Sequence, residues 1–483
     1  MPDHAGESGG HITPRPIHTY RGSGVLYAAA PARERGAVND LPVLLFVPGL
    51  GQTAEFFFRE NPILAMAVRD GYRTAVVSFD RPEGKAQDMW ANGELLARQA
   101  ADACRFYGVQ NLTAVGHSKG GVDAQSAAVH FGAAGCIGRI VTLSTPHWGS
   151  QLADIAYSSA GFALAKLLHA HSPGCFSMQT GYMQGFRNST DPSPQNLSPI
   201  LTFAGNGGNV EPGRVMAGSL LLDRFGQNDG VVTVESAHNP KGRHVATLRL
   251  NHAQMGDGRF VWAYVAPVLA GEPPAEEAVA AGAVPVFMPP AQILRGGWMT
   301  AGVNERFFVD GSVERMRVCI TCTGDAAARR FTLASPAGVG VALTEQKAAD
   351  GSSMLCAEIA SPQVGRWSLT APRARGAYCA QILLRGTRVF QLAPGEAPPE
   401  KLDAALRILH TYADGYDVVG EYELKKGVSL PLPQVGDGVY SVEMELTGEL
   451  PDGSTFERTV IRPFAHGGDL RGLSAGPRRS ARH

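Results

Sequence analysis

The chain has 483 residues, a formal net charge of −1, and 44% hydrophobic against 18% charged residues. That length exceeds what one compact core usually holds and predicts two or three domains. The charge gives no electrostatic basis for binding nucleic acid or an anionic membrane, and no apolar run reaches the roughly 18 residues of a transmembrane helix.

Met1 to His18 is polar, with no apolar stretch of the kind a Sec signal needs. Residues 1–20 are expected to be a flexible terminus, which leaves the cytosol or export by a route the sequence does not display. From about residue 40 to 270, short apolar runs alternate with helical stretches, the pattern of βαβ units around a parallel sheet. Strands are expected at Val43 to Val47, Thr74 to Phe79, Leu112 to Gly116, Arg139 to Ser144, Ile200 to Gly205 and His244 to Leu250. Helices are expected at Asn92 to Tyr107, Lys119 to Phe131 and Phe260 to Leu269. The predicted fold is α/β, with a catalytic domain at 21–270.

The composition changes at Gly271 to Pro290, a linker rich in Ala, Pro and Glu. Short strands with turn residues at about ten-residue spacing follow, predicting two β-sandwich modules at 291–376 and 377–466. Asp452-Gly453 supplies a hairpin turn in the second. The basic, Gly-rich tail at 467–483 is expected to be disordered. Seven cysteines spread over the chain make no disulfide framework. Cys319 and Cys322 form a C-x-x-C, but on a strand they point to opposite faces and read as apolar fillers. No metal and no cofactor is predicted.

Gly116-His117-Ser118-Lys119-Gly120 is the central chemical signal. It matches G-x-S-x-G between a predicted strand and a predicted helix, where a strained turn lifts a serine hydroxyl clear of the sheet. Ser118 is the candidate nucleophile, and the backbone N–H of Lys119 a candidate oxyanion donor. A second donor is expected from the turn after an early strand, with Leu50 the candidate. Serine at its ordinary pKa needs a base, and the base a carboxylate. In chain order these are Asp229, in "NDGVV", and His252, directly after a strand. Asp223, His238 and His244 are the rivals. Phe56, Phe57, His117, Leu152 and Phe162 are candidate substrate-binding residues.

Together these motifs resemble the bacterial true lipases, the Pseudomonas, Burkholderia and staphylococcal group of α/β-hydrolases. "GHSKGG" resembles the family's nucleophile elbow, "LSTPHWGS" the segment after the next strand, "NDGVV" its acid motif and "NHAQM" its base segment. "SMQTGYMQGFRNST" resembles the segment leading out of the lid. The resemblance covers roughly residues 42 to 270 and implies a lid insert at about 150–185. Pro48-Gly49 stands where the family's oxyanion loop has H-G. Gln254 stands where many members have an Asp ligand for a structural calcium, and a single amide replaces a carboxylate poorly.

These readings imply a carboxylic-ester hydrolase, foremost a triacylglycerol lipase or esterase, whose partner is a lipid or ester substrate at an interface or polymer surface. A polyester depolymerase or phospholipase is the alternative within the class. A binding or adhesion protein with a degenerate hydrolase domain is the alternative from another class.

Overall fold

A computed structural model describes residues 12–30, 41–79, 86–208, 214–271, 291–323, 331–347, 352–386, 402–424 and 436–473. The predicted linker, beyond Gly271, and the tail from 474 lie outside the described residues. The chain divides into two compact units. The first comprises Met1–Gly149, Phe186–Val210 and Gln227–Pro285; the second comprises Ser150–Gly185, Glu211–Gly226 and Val286–His483.

The first unit is built on β1 (Arg15–Tyr20), β2 (Gly24–Ala29), β3 (Leu44–Val47), β4 (Thr74–Val77), β5 (Leu112–His117), β6 (Ile137–Leu143), β7 (Ile200–Gly205) and β8 (Arg243–Leu248). They form one sheet in the order β1-β2-β4-β3-β5-β6-β7-β8. β1, β2 and β4 pair antiparallel, and from β4 to β8 all pairings are parallel. At Arg15–Tyr20, β1 corrects the expectation of a flexible terminus: Ile17 and Tyr20 pack against the core, and β2 supplies its hydrogen-bond partners, while residues 1–11 lie outside the described residues.

Successive residues on a strand face opposite ways, so the wholly apolar β3 serves two cores. Leu44 and Phe46 join Val76, Val115 and Val141 on one face. Leu45 and Val47 join Ala75, Val77 and Ala114 on the other. Parallel sheets need cover on both faces. Leu64 of α1 (Ile63–Arg69) and Val261, Trp262 and Val265 of helix Gly258–Leu269 cover the first. Leu96 and Ala100 of α2 (Met89–Tyr107) and Ala124, Ala127 and Ala128 of α3 (Lys119–His130) cover the second. α2 begins three residues before its predicted start because Asp88 caps it, accepting from the N–H groups of Trp90 (3.1 Å) and Ala91 (2.9 Å).

In the second unit, strands Gln292–Met299, Arg315–Thr323, Thr344–Lys347, Ser352–Ala360 and Gly376–Arg385 form one sheet. Strands Gly302–Val309, Thr332–Ala334, Gly340–Val341 and Gly365–Pro372 form another. Their inner faces share a core in which Val318, Ile320 and Ile382 meet Phe307, Leu333, Trp367 and Leu369, a β-sandwich. The expected module boundary at 376/377 is corrected. Strand Gly376–Arg385 pairs with Arg315–Thr323 along its length and belongs to the first sandwich. Cys322 lies in the sandwich core, whereas Cys319 faces the opposite way and meets Cys356, with the sulfurs 3.5 Å apart. Leu402–Tyr412, Gly415–Leu424, Gly438–Glu449 and Thr455–His466 form a single antiparallel sheet among the described residues, not a second sandwich.

The insert expected within the 21–270 domain groups with this C-terminal half. Ile155, Ala163 and Leu164 pack on Leu294, Ala377 and Cys379, the outer face of the five-stranded sheet. The Tyr157 hydroxyl donates to the Ala413 carbonyl (3.0 Å), and Ser159 donates its N–H (2.7 Å) and hydroxyl (2.5 Å) to Glu443. The Tyr182 hydroxyl donates to the carbonyl of buried Leu470 (3.0 Å), so the tail is held at least that far.

Candidate active site

The turn at Ser118 begins with sheet register. Val47 of β3 pairs with Gly116 of β5, so the turn after β3 and the turn after β5 leave neighbouring parallel strands at the same end. Ser118 takes φ 54° and ψ −134°, a conformation few non-glycine residues adopt. A side chain at Gly120 would place its Cβ 2.4 Å from the Val47 carbonyl oxygen, so only glycine lets α3 start this close to β3. The Ser118 N–H donates to Leu143 O (2.9 Å), and the Thr145 hydroxyl donates to Ser118 O (2.7 Å). β6 and the segment after it thereby fix the turn.

Ser118 Oγ lies 2.9 Å from Nε2 of His252, and Nδ1 of His252 lies 2.7 Å from Oδ2 of Asp229. A carboxylate only accepts, so Nδ1 carries the proton, Nε2 is an acceptor and the Ser118 hydroxyl donates to it. Oδ1 of Asp229 accepts from the N–H groups of Val231 (2.9 Å) and Val232 (2.7 Å). The arrangement can remove a proton from Ser118 as its oxygen attacks an electrophilic carbon.

Lys119 is the first residue of α3, where an N–H has no intrahelical partner. Its side chain runs inward: Nζ lies 2.5 Å from Oδ1 of Asp123, whose Oδ2 accepts from Asn92 (2.9 Å). Burial pushes the Asp123 carboxyl up, opposed by Lys119. In the turn after β3, the Gly49 N–H donates to Gln52 Oε1 (2.8 Å). The pattern of the sequence did not single out Gln52, Asp123, Asn92 or Thr145, because each is defined by a partner distant in sequence or in an unremarkable position.

The chain matches no family model and no curated protein. It superposes on a Bacillus licheniformis lipase in propeptide form with a TM-score of 0.78 and 26% identity, over 91% of this chain and 99% of that one. The mature form of the same lipase aligns at 34% identity over 50% of this chain and 97% of that one, with a TM-score of 0.46. A Bacillus subtilis carboxylesterase aligns at 13% identity over 54% of this chain and 93% of that one, with a TM-score of 0.33. The fold is that of the α/β-hydrolases.

Within this fold the rival residues are occupied elsewhere. Asp223 pairs with Arg317 and Arg385 in the second unit. The His238 and His244 rings lie 3.9 Å apart, and His244 meets Thr202 (3.1 Å) and Thr247 (3.0 Å). Two substrate-binding expectations are corrected. Phe57 is fully buried against Phe46 in the sheet core, and His117 is buried beside Gln52 and His252. Phe56 is half-buried and stacks on His117. Leu152 and Phe162 belong to the second unit, where Phe162 packs between His171 and Tyr416. Gln254 accepts the Asn251 N–H (2.9 Å). No group of three or more His, Cys, Asp or Glu among the described residues is arranged to hold a metal ion.

Proposed function

We propose that the chain is a carboxylic-ester hydrolase acting through Ser118, His252 and Asp229, and within that class a triacylglycerol lipase or esterase. The run of contacts from Asp229 Oδ2 through His252 to Ser118 Oγ carries this reading. The Bacillus licheniformis lipase, alike over 91% of this chain, supports the ester-hydrolase part.

As Ser118 Oγ bonds to the acyl carbon, its proton passes to Nε2 of His252, and the carbonyl electron pair moves onto oxygen. The N–H groups of Leu50 and Lys119 receive that oxyanion. When the pair returns, the bond to the alkoxy oxygen breaks, and His252 gives its proton to the departing alcohol. Water then attacks the acyl-enzyme and gives a proton to His252. Collapse of this second intermediate releases the acid and returns the proton to Ser118. Asp229 keeps Nδ1 protonated and offsets the charge of the imidazolium throughout.

A fluorophosphonate probe should label Ser118 in the wild type and not in Ser118→Ala, read by mass spectrometry of the peptide. Rates on p-nitrophenyl esters of graded chain length and on emulsified triglyceride then separate lipase from esterase. A wild-type chain that neither labels nor hydrolyses would sink the reading.

The neighbour that covers 91% of this chain is described as a propeptide form. This supports a second, compatible reading, that the chain is a precursor still carrying a propeptide. Ester hydrolysis before and after limited proteolysis tests it, and unchanged activity would count against it.

A further inference from the structure

We infer that His117 is a positioning residue, tying the loop that carries the base to the loop that carries an oxyanion donor. The inference deepens the ester-hydrolase reading and rests on it. At 1% exposure the His117 ring is closed off from solvent, so its work is done on its neighbours. Nε2 lies 2.8 Å from the carbonyl oxygen of His252, and Nδ1 lies 2.9 Å from Oε1 of Gln52. The same Gln52 oxygen accepts the Gly49 N–H at 2.8 Å. One ring, adjacent in sequence to Ser118, thus touches the base's own backbone and the side chain that pins the turn after β3.

Packing reinforces the link. The His117 ring stacks on Phe56, with centroids 5.4 Å and planes 17° apart. Gly256, four residues past the base, comes so close that a Cβ there would lie 2.7 Å from Phe56 and 2.9 Å from the His117 ring. Residues 49–56 and 252–256 therefore meet across this imidazole.

The chemistry of the two acceptors makes the link more than a space-filling contact. Burial pushes the His117 pKa down to about 3, so the ring is neutral and has one proton to donate. Both facing groups, the His252 carbonyl and Gln52 Oε1, are acceptors. With the proton on Nε2 the ring holds the His252 carbonyl, and Nδ1 is left facing an oxygen unless the Gln52 amide turns over and gives up Gly49. With the proton on Nδ1 the ring holds Gln52, and Gly49 stays pinned. The tautomer of His117 is thereby coupled to which of the two loops is held more firmly. Ångström-scale placement of base and oxyanion donors governs turnover more than substrate binding.

The test uses the full chain with His117→Phe, which keeps ring volume and stacking but loses both hydrogen bonds, and His117→Gln, which returns an amide donor toward the His252 carbonyl. For His117→Phe, kcat on a soluble p-nitrophenyl ester should fall by up to about 100-fold, the scale of an ångström's misplacement of reacting groups. KM should stay within a few-fold, fluorophosphonate labelling of Ser118 should slow in parallel, and His117→Gln should recover much of the loss. If His117→Phe does not fold, Gln52→Met removes the acceptor shared by Gly49 and His117, and its kcat should fall several-fold. A kcat within twofold of wild type in the folded variant overturns the proposal. So does a loss that merely tracks the unfolded fraction, or a His117→Gln no better than His117→Phe. A wild type that neither labels nor turns over would instead mark the failure of the ester-hydrolase reading beneath it.

Discussion

The backbone N–H of His252 donates to the carbonyl oxygen of Asp229 at 2.9 Å, alongside the 2.7 Å contact between their side chains. The turns that carry Asp229 and His252 are therefore joined through main chain as well as side chain. Asp229 Oδ1 is held independently by the N–H groups of Val231 and Val232.

This double hold makes Asp229→Asn a clean test. The amide oxygen can keep both backbone donors, which turns the NH2 toward His252 and forces the wrong tautomer on the base. The variant should fold with a melting temperature near wild type and lose about 10⁴ in kcat. Melting curves and ester kinetics check both halves, and a kcat within tenfold of wild type would show that the acid is dispensable.

Ser118→Ala and His252→Ala should each lower kcat by about 10⁴ or more, and the double variant should be little worse, because the groups act as a unit. His238→Ala and His244→Ala should keep near-normal turnover, since their rings are engaged with each other and with Thr202 and Thr247. Additive losses from Ser118→Ala and His252→Ala would argue against a shared step.

The residues at strand ends were legible in the sequence because local chemistry marks them. Gly116, Ser118 and Gly120, alternating with His117 and Lys119, mark the turn after β5, and Asn-Asp-Gly marks the turn at Asp229. β1 was not legible, because Arg15–Tyr20 has too few apolar positions to show a strand until β2 pairs with it. Likewise, nothing local says that Ala163 and Leu164 face Leu294 and Cys379 rather than the sheet preceding them in the chain. Lys119 illustrates a further limit. Its neighbourhood predicted the role of its N–H but not that its side chain is buried against Asp123.

That buried pair separates stability from the role proposed for the Lys119 N–H. Lys119→Met should cost about 3 kcal/mol, at the low end for breaking a buried pair, because the abandoned Asp123 carboxyl is already pushed toward its neutral form. The N–H remains, so turnover per fluorophosphonate-titrated site should stay within a few-fold. Urea unfolding and active-site titration read the two effects separately. A large loss of kcat in the titrated fraction would give the ammonium itself a part in the reaction.

Two kinds of buried group should act on stability with opposite pH dependence. Burial raises the Asp154 carboxyl of the second unit to about 7, although Thr180 donates to it twice at 2.8 Å. In the unfolded chain this group loses its proton near pH 4. Between about pH 4 and 7 the folded state holds a proton that the unfolded state has released, so stability falls as pH rises, by something on the order of 2–4 kcal/mol. Asp154→Asn should flatten that fall. In the first unit, burial lowers His117 to about 3 and His244 to about 4, and lowers His147 as well. The unfolded chain binds those protons below about pH 6.5 while the fold resists them, so these three rings should weaken the fold as pH drops. Calorimetry from pH 4 to 8 checks both slopes. A pH-independent difference between wild type and Asp154→Asn would remove the carboxyl from the account.

The last prediction concerns separating the C-terminal half. By sequence, a chain ending near residue 275 should keep a complete catalytic core, because Ser118, Asp229 and His252 all precede it. The second unit complicates this, because it contains Ser150–Gly185 and Glu211–Gly226 together with everything from Val286. Truncation strips Leu294, Ala377 and Cys379 from Ile155, Ala163 and Leu164, and it takes away Ala413 and Glu443, which accept from Tyr157 and Ser159. An apolar patch and several unmet donors would then be left on the insert, favouring aggregation. The truncated chain should express poorly or elute as soluble aggregate. Cutting the folded full-length protein at a protease site introduced into 272–290 leaves those contacts in place. The nicked halves should co-elute on size exclusion and separate only in denaturant. A soluble, monomeric truncation with full ester turnover would show that the insert repacks without the β half. Nicked halves that fall apart spontaneously would show that the contacts around Ile155 and Leu164 are too weak to hold the second unit together.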